Sequence, residues 1–112
     1  MPEISWNDFE KVELRLGTIV SAEVFKEARS PAYILLVDFG AEVGIKKSSA
    51  QITDYYQPED LVGKQVIGVT NFPPKQIGPI RSECLVTGFI REGRKVTLAV
   101  PDMDAPNGTR LV

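Results

Sequence analysis

Between Asn71 and Ser82 the chain reads NFPPKQIGPIRS, a run whose residue types suit a binding surface. Lys75 and Arg81 can neutralise a carboxylate or a phosphate, and Asn71, Gln76 and Ser82 can orient the same ligand by hydrogen bonding. Pro73 and Pro74 withdraw two backbone donors and fix an extended turn, so a stiff loop carrying these side chains is expected. The plainer reading of the same run has Asn71 and Ser82 capping the turn and the cations solvated. A second run, Lys46-Lys47-Ser48-Ser49, pairs two lysines with a hydroxyl that can cap a helix. Ser48 or Ser49 would start a helix through Ala50, Ile52 and Tyr55 or Tyr56 that ends before Pro58. A lysine beside such a helix start attracts anions, and the alternative is a capped helix with a charged approach. Arg91, Arg94 and Lys95 flank Glu92-Gly93 and read as a solvated hairpin tip.

Other chemistries are poorly served. The chain has no histidine and one cysteine, Cys84, which removes the commonest general base and every Ser-His or Cys-His nucleophile pair. An internal disulfide is excluded, and no metal or cofactor is expected from a donor set of carboxylates plus one thiol. Asp102 and Asp104 are the carboxylate pair an enzyme would need, but two aspartates this close in a turn are usually loop formers, and no Gly-x-x-x-x-Gly-Lys phosphate cradle accompanies them. A non-catalytic binding protein is the expectation.

The net charge of −2 is unevenly distributed. Residues 1 to 60 carry six basic and eleven acidic side chains, residues 61 to 95 carry six basic and two acidic, and the remainder adds −1. The basic excess is therefore local to residues 61 to 95, and the plainer reading is ordinary variation in a solvated surface. With 43% hydrophobic and 25% charged residues over 112 positions, the composition is that of one soluble globular domain spanning 1–112. No apolar run approaches the ~18 residues of a membrane span, and Met1-Pro2-Glu3 lacks a basic-then-apolar leader pattern, so a cytoplasmic protein without membrane insertion is expected.

The positioning elements are mostly strands. Ser5 followed by Asp8 marks a short helix start. From Val12 the pattern turns to period two, with Val12, Leu14, Leu16, Thr18, Val20, Ala22 and Val24 on one face, and Gly17 suggests a bulge in a long bent strand. Tyr33 to Phe39 reads as a strand covered on both sides, and Val43 to Lys47, Gln65 to Phe72, Glu83 to Ile90 and Lys95 to Val100 supply the rest. Phe9, Phe39, Phe72 and Phe89 lie in or beside apolar runs and are expected in the core, whereas Phe25, Tyr33, Tyr55 and Tyr56 are candidates for exposure. The order suits an all-β, five-stranded OB-fold barrel with a short N-terminal helix and a helix between strands three and four. An open β-sandwich is the competing architecture.

Four blocks, Asp8 to Val20 (DFEKVELRLGTIV), Glu27 to Tyr33 (EARSPAY), Lys46 to Thr53 (KKSSAQIT) and Asn71 to Gly78 (NFPPKQIG) with Ser82-Glu83, resemble the CsaA family. This family is a branch of the OB-folds that include the tRNA-binding domains of methionyl- and tyrosyl-tRNA synthetases. The resemblance implies a cytoplasmic homodimer acting as a protein-secretion chaperone on unfolded or exported polypeptides, with the secretion ATPase as a further partner. It implies peptide or RNA contact through Asn71, Lys75, Gln76, Arg81, Ser82, Lys46, Lys47 and Ser49. It also implies a dimer built from the terminal segments, which places Trp6, Phe9, Met103 and Leu111 in the interface. tRNA is the alternative ligand. In the tRNA-binding relatives the stretch matching Ser82-Glu83-Cys84-Leu85 reads Ser-x-Gly-Met, so only Ser82 carries over, and the polypeptide reading stands first.

Overall fold

A computed structural model describes residues 1–112. Helix α1 (Trp6–Glu10) is set by a reciprocal cap: the Ser5 hydroxyl accepts from the Asp8 N–H at 3.1 Å, and the Asp8 carboxylate accepts from the Ser5 N–H at 3.1 Å. Strands β1 (Leu14–Val24), β2 (Tyr33–Asp38) and β3 (Ile45–Ala50) follow, then the single-turn helix α2 (Pro58–Leu61) and strand β4 (Gln65–Val69). The chain continues through β5 (Lys75–Ile77), β6 (Ile80–Ser82), β7 (Leu85–Val86), β8 (Gly88–Ile90) and β9 (Val96–Leu98).

Five strands form one antiparallel sheet in the order β3-β2-β1-β4-β7, the nearly closed barrel of an OB-fold. β1 is long enough to serve two neighbours. Its first half pairs with β4, Leu14 opposite Val69, and its second half with β2, Val24 opposite Tyr33. The buried side chains form one cluster at the barrel centre, with Ile19, Leu35, Val37, Phe39, Leu61 and Val66 fully enclosed. Ribbons β5–β6 and β8–β9 stand outside the main sheet.

The bulge falls two to three residues later than Gly17, where the β1–β2 register shifts between Ile19 and Ser21 and leaves Val20 half-exposed. The inward phase in this part of β1 is Gly17 and Ile19, so the face read from Val12 to Val24 is not one buried face. Gly17 has a packing role instead: a Cβ there would lie 2.6 Å from the Val37 side chain and 2.7 Å from the Phe39 ring.

The helix expected from Ser48 or Ser49 to Tyr56 does not form. Ser48 to Ala50 stay in β3, Ala50 opposite Tyr33, and the carbonyl of Tyr56 accepts from the Tyr33 hydroxyl at 2.6 Å. The helix between strands three and four starts where the other was expected to stop. Pro58 occupies the first helical turn, where its missing N–H costs nothing, and the Asp60 carboxylate accepts from the Gln57 N–H at 3.0 Å.

Four aromatic expectations also reverse. Phe25 and Tyr33 are buried, at 3% and 5% exposure, whereas Phe72 and Phe89 are 54% and 63% exposed. Phe72 lies outside because β4 ends at Val69, and Phe89 because β8 belongs to a projecting ribbon. No helix is long and apolar enough to cross a membrane.

Candidate functional site

The barrel closes along a seam between β3 and the segment Ser82 to Cys84, and side chains do much of the closing. The Glu83 N–H donates to the Lys47 carbonyl at 2.7 Å. In return the Lys47 N–H donates to Glu83 Oε1 at 2.9 Å, and the Ser49 N–H to the Ser82 hydroxyl at 3.2 Å. Two side-chain oxygens thus occupy positions where a neighbouring strand would present carbonyls. The Glu83 carboxylate, a negative charge beside the candidate site in the sequence, is turned into this seam.

A cleft of about 700 Å³ opens beside the seam, lined by Ser49, residues 72 to 77, Ser82, Cys84 and Leu85. The stretch expected as a stiff loop is partly a hairpin: Lys75 pairs with Ser82, Gln76 with Arg81 and Ile77 with Ile80, and Gly78-Pro79 makes the turn, with Gly78 at φ +55°. Alternation across the ribbon puts Lys75, Ile77, Ile80 and Ser82 on one face and Gln76 and Arg81 on the other.

The candidate residues therefore separate. Lys75, Gln76, Ser82 and Ser49 line the cleft. Arg81 is exposed on the outer ribbon face, and Lys46 and Lys47 are half-buried on β3 outside the lining. With Ser48 and Ser49 in a strand, no helix start accompanies the two lysines, and the anion site expected from that pairing is absent. Asn71 is committed internally: its Oδ1 accepts from the Glu13 N–H at 3.0 Å and its Nδ2 donates to the Lys11 carbonyl at 2.7 Å. This amide ties the root of the ribbon to the junction between α1 and β1. Gln76 folds back onto the turn, donating to the Gly78 carbonyl at 2.8 Å.

Phe72, Ile77, Cys84 and Leu85 give the cleft an apolar surface that the sequence reading missed. Of these only Phe72 adjoins Pro73-Pro74, where the sequence pattern places it in the core, while the same pattern places Cys84 and Leu85 in the strand from Glu83 to Ile90. The Cys84 thiol is buried and pushed up to about 12, first by desolvation and then by the charge of Glu83, so it is a neutral apolar wall near pH 7 rather than a nucleophile.

At the termini, the C-terminal segment lies along β1 of its own chain. The Leu16 N–H donates to the Thr109 carbonyl at 2.9 Å and the Leu111 N–H to the Leu14 carbonyl at 2.8 Å. Arg15 anchors the same segment, donating from Nη1 to the Gly108 carbonyl at 2.9 Å while its Nε lies 3.2 Å from Glu13 Oε1. Glu13 is held below the ordinary carboxylate range, chiefly by the Thr70 hydroxyl and then by Arg15. Trp6, Phe9 and Leu111 line a shallow cavity of about 330 Å³ with Glu10, Arg110 and Val112. Met103 stands apart from this cavity, exposed on the turn before the last segment. Asp102 and Asp104 are exposed on the same turn.

Residues 14–110 match the family model described as Putative tRNA binding domain. Among solved structures, the chain is similar to the chaperone CsaA of Bacillus anthracis, with 50% identity, a TM-score of 0.93 and coverage of 99% of this chain and 100% of that one. The CsaA chaperone protein of Picrophilus torridus is 46% identical, with a TM-score of 0.92, over 98% and 100% of the two chains. Among curated relatives, Methionine--tRNA ligase 1 of Bacillus cereus is 39% identical over 110 residues, 97% of this chain and 16% of that protein. The chain thus spans about one-sixth of the length of the curated relatives it matches.

Proposed function

The chain belongs to the tRNA-binding-domain family, on its CsaA-like branch, and from that premise we propose that it is a protein-secretion chaperone, a binding module for unfolded or exported polypeptides. The observation that carries this reading is the composition of the cleft beside the seam. Phe72, Ile77, Cys84 and Leu85 offer an apolar wall to a side chain, while the Lys75 ammonium, the Ser49 hydroxyl and the Gln76 amide oxygen offer polar groups to a main chain, the Ser82 hydroxyl being held in the seam. Unfolded polypeptide supplies both together. In this reading Arg81, Lys46 and Lys47 act from outside the cleft lining, and Asn71 acts through the backbone it holds.

The same reading makes the protein a cytoplasmic homodimer of single domains, joined through Trp6, Phe9, Met103 and Leu111, that hands exported chains to the secretion ATPase. Trp6 is 84% and Met103 77% exposed in the isolated chain, which leaves apolar area for a second copy to cover. Two clefts in one dimer raise avidity for a long unfolded chain without new contacts. No reaction is assigned to it.

The second reading is tRNA binding, favoured by the family model and by exposed Lys75 and Arg81. Fluorescence anisotropy with a labelled, permanently unfolded polypeptide and with total tRNA, each at low and high salt, separates the two. The chaperone reading expects micromolar or tighter polypeptide binding that weakens in the Lys75→Glu, Arg81→Glu double variant and changes modestly with salt. Affinity for tRNA alone, falling steeply with salt as counterions return, would replace it with the second reading.

A further inference from the structure

A second cavity, of about 620 Å³, adjoins the first and shares Ser49 and Ile77 with it. Its other polar walls are Glu27, Arg29, Ser30 and Gln51, from the loop between β1 and β2 and the end of β3. We infer that the two cavities form one groove selecting extended polypeptide segments that carry an apolar side chain within a few residues of an acidic one. The inference rests on the polypeptide reading of the first cleft and names the class of segment that cleft prefers.

Charge and shape set the occupant. Arg29 is exposed, and none of the ion pairs in the molecule, which join Lys11 to Asp8 and Arg15 to Glu13 and Glu42, involves it. Its planar fork matches a carboxylate with two parallel hydrogen bonds. Glu27 shares the cavity, but Lys75 stands in the adjoining one and Glu83 is turned into the seam, so cations outnumber free carboxylates along the groove. A basic segment would meet Arg29 and Lys75 unfavourably. A segment without an apolar side chain would leave Phe72 and Leu85 in water, since both are about half-exposed in the free chain. An extended chain advances ~3.3 Å per residue, so spacings of two to five residues cover ~7 to 17 Å. That range fits within a molecule whose shortest extent is 28 Å.

The test uses the full chain and labelled glycine-serine peptides containing one leucine and one glutamate at spacings of two to five residues. Glutamine-for-glutamate, lysine-for-glutamate and serine-for-leucine counterparts are the controls, read by anisotropy. An exposed ion pair contributes a factor of about 1.4 to 5, so the best-spaced glutamate peptide is expected to bind about that much tighter than its glutamine counterpart. The preference should shrink in high salt. Arg29→Gln should reduce the preference, Arg29→Gln with Lys75→Gln should remove it, and Arg29→Glu should turn it toward lysine. Phe72→Ala should weaken all leucine peptides alike. Peptides that bind with no distinction between glutamate and glutamine, or a preference undiminished in the Arg29→Gln, Lys75→Gln double variant, overturn the inference and leave the polypeptide reading standing. Binding of no peptide at all, with tRNA bound, overturns both.

Discussion

Replacing Glu83 by alanine tests whether side chains close the barrel. In the native protein Glu83 Oε1 accepts the Lys47 N–H at 2.9 Å, on a strand whose other edge is already paired with β2. Alanine leaves that half-buried N–H without its partner, a loss of ~1 to 3 kcal/mol for a charge-assisted bond. With an unfolding entropy of ~2.1 cal/mol/K per residue, a chain of 112 residues loses ~4 °C of Tm per kcal/mol. A loss of ~2 kcal/mol therefore lowers Tm by ~8 °C. Glu83→Gln keeps an acceptor oxygen at the same reach and should cost less than half as much. Urea unfolding at one fixed protein concentration, to hold any self-association constant, measures both variants, and hydrogen exchange adds the local readout, with Lys47 and Ser49 losing protection first. An alanine variant within 0.5 kcal/mol of the parent, or a glutamine variant as damaged as alanine, would refute the side-chain closure.

Two further outcomes concern the core and the thiol. Gly17→Ala should destabilise the protein by ~1 to 3 kcal/mol through overpacking, because its new methyl meets Val37 and Phe39 at 2.6 and 2.7 Å; an unchanged urea midpoint would show that the Phe39 ring has room to move. Cys84 should react with a thiol reagent at pH 8 only as fast as the barrel opens, and rapidly in urea, since its pKa is raised from 9.0 to about 12 in the folded state. The folded chain keeps a proton that the unfolded chain gives up, so this contribution to stability is complete below pH 9 and is lost as the pH rises from there toward 12. A Cys84→Ala variant should show a flatter decline over that window.

Much of the barrel was legible as strands, and β2 stands out as an unbroken apolar run, but Ile34 and Leu36 make it read as covered on both sides, whereas only Tyr33, Leu35 and Val37 on one face are buried. What escaped was set by tertiary contacts. Proline reads as a stop, yet Pro58 begins α2, since a first-turn proline differs from a terminating one only in whether the residues after it turn into a helix. Gly17 looked like a bulge because a missing side chain and an extra residue leave the same gap in an alternating pattern; the Phe39 ring that fills the space lies 22 positions along. The cations of the candidate site were visible as charges. Its cleft was not, because Ser49, Phe72 and Leu85 meet only when the seam closes, and no local spacing records that β3 and Ser82 to Cys84 become neighbours.

The seam has an evolutionary consequence. Where backbone pairs with backbone, the distance between strands is fixed whatever the residues. Between Lys47 and Ser49 on one side and Glu83 and Ser82 on the other, a single backbone bond, from the Glu83 N–H to the Lys47 carbonyl, is flanked by two contacts whose reach is set by the length of a side chain. Substitutions at positions 82 and 83 can therefore widen or narrow the mouth of the neighbouring cleft while the five-stranded order stays intact. A barrel with such an adjustable edge can diversify its ligands faster than its fold, and proteins named as chaperones and as tRNA ligases both carry sequences similar to this one.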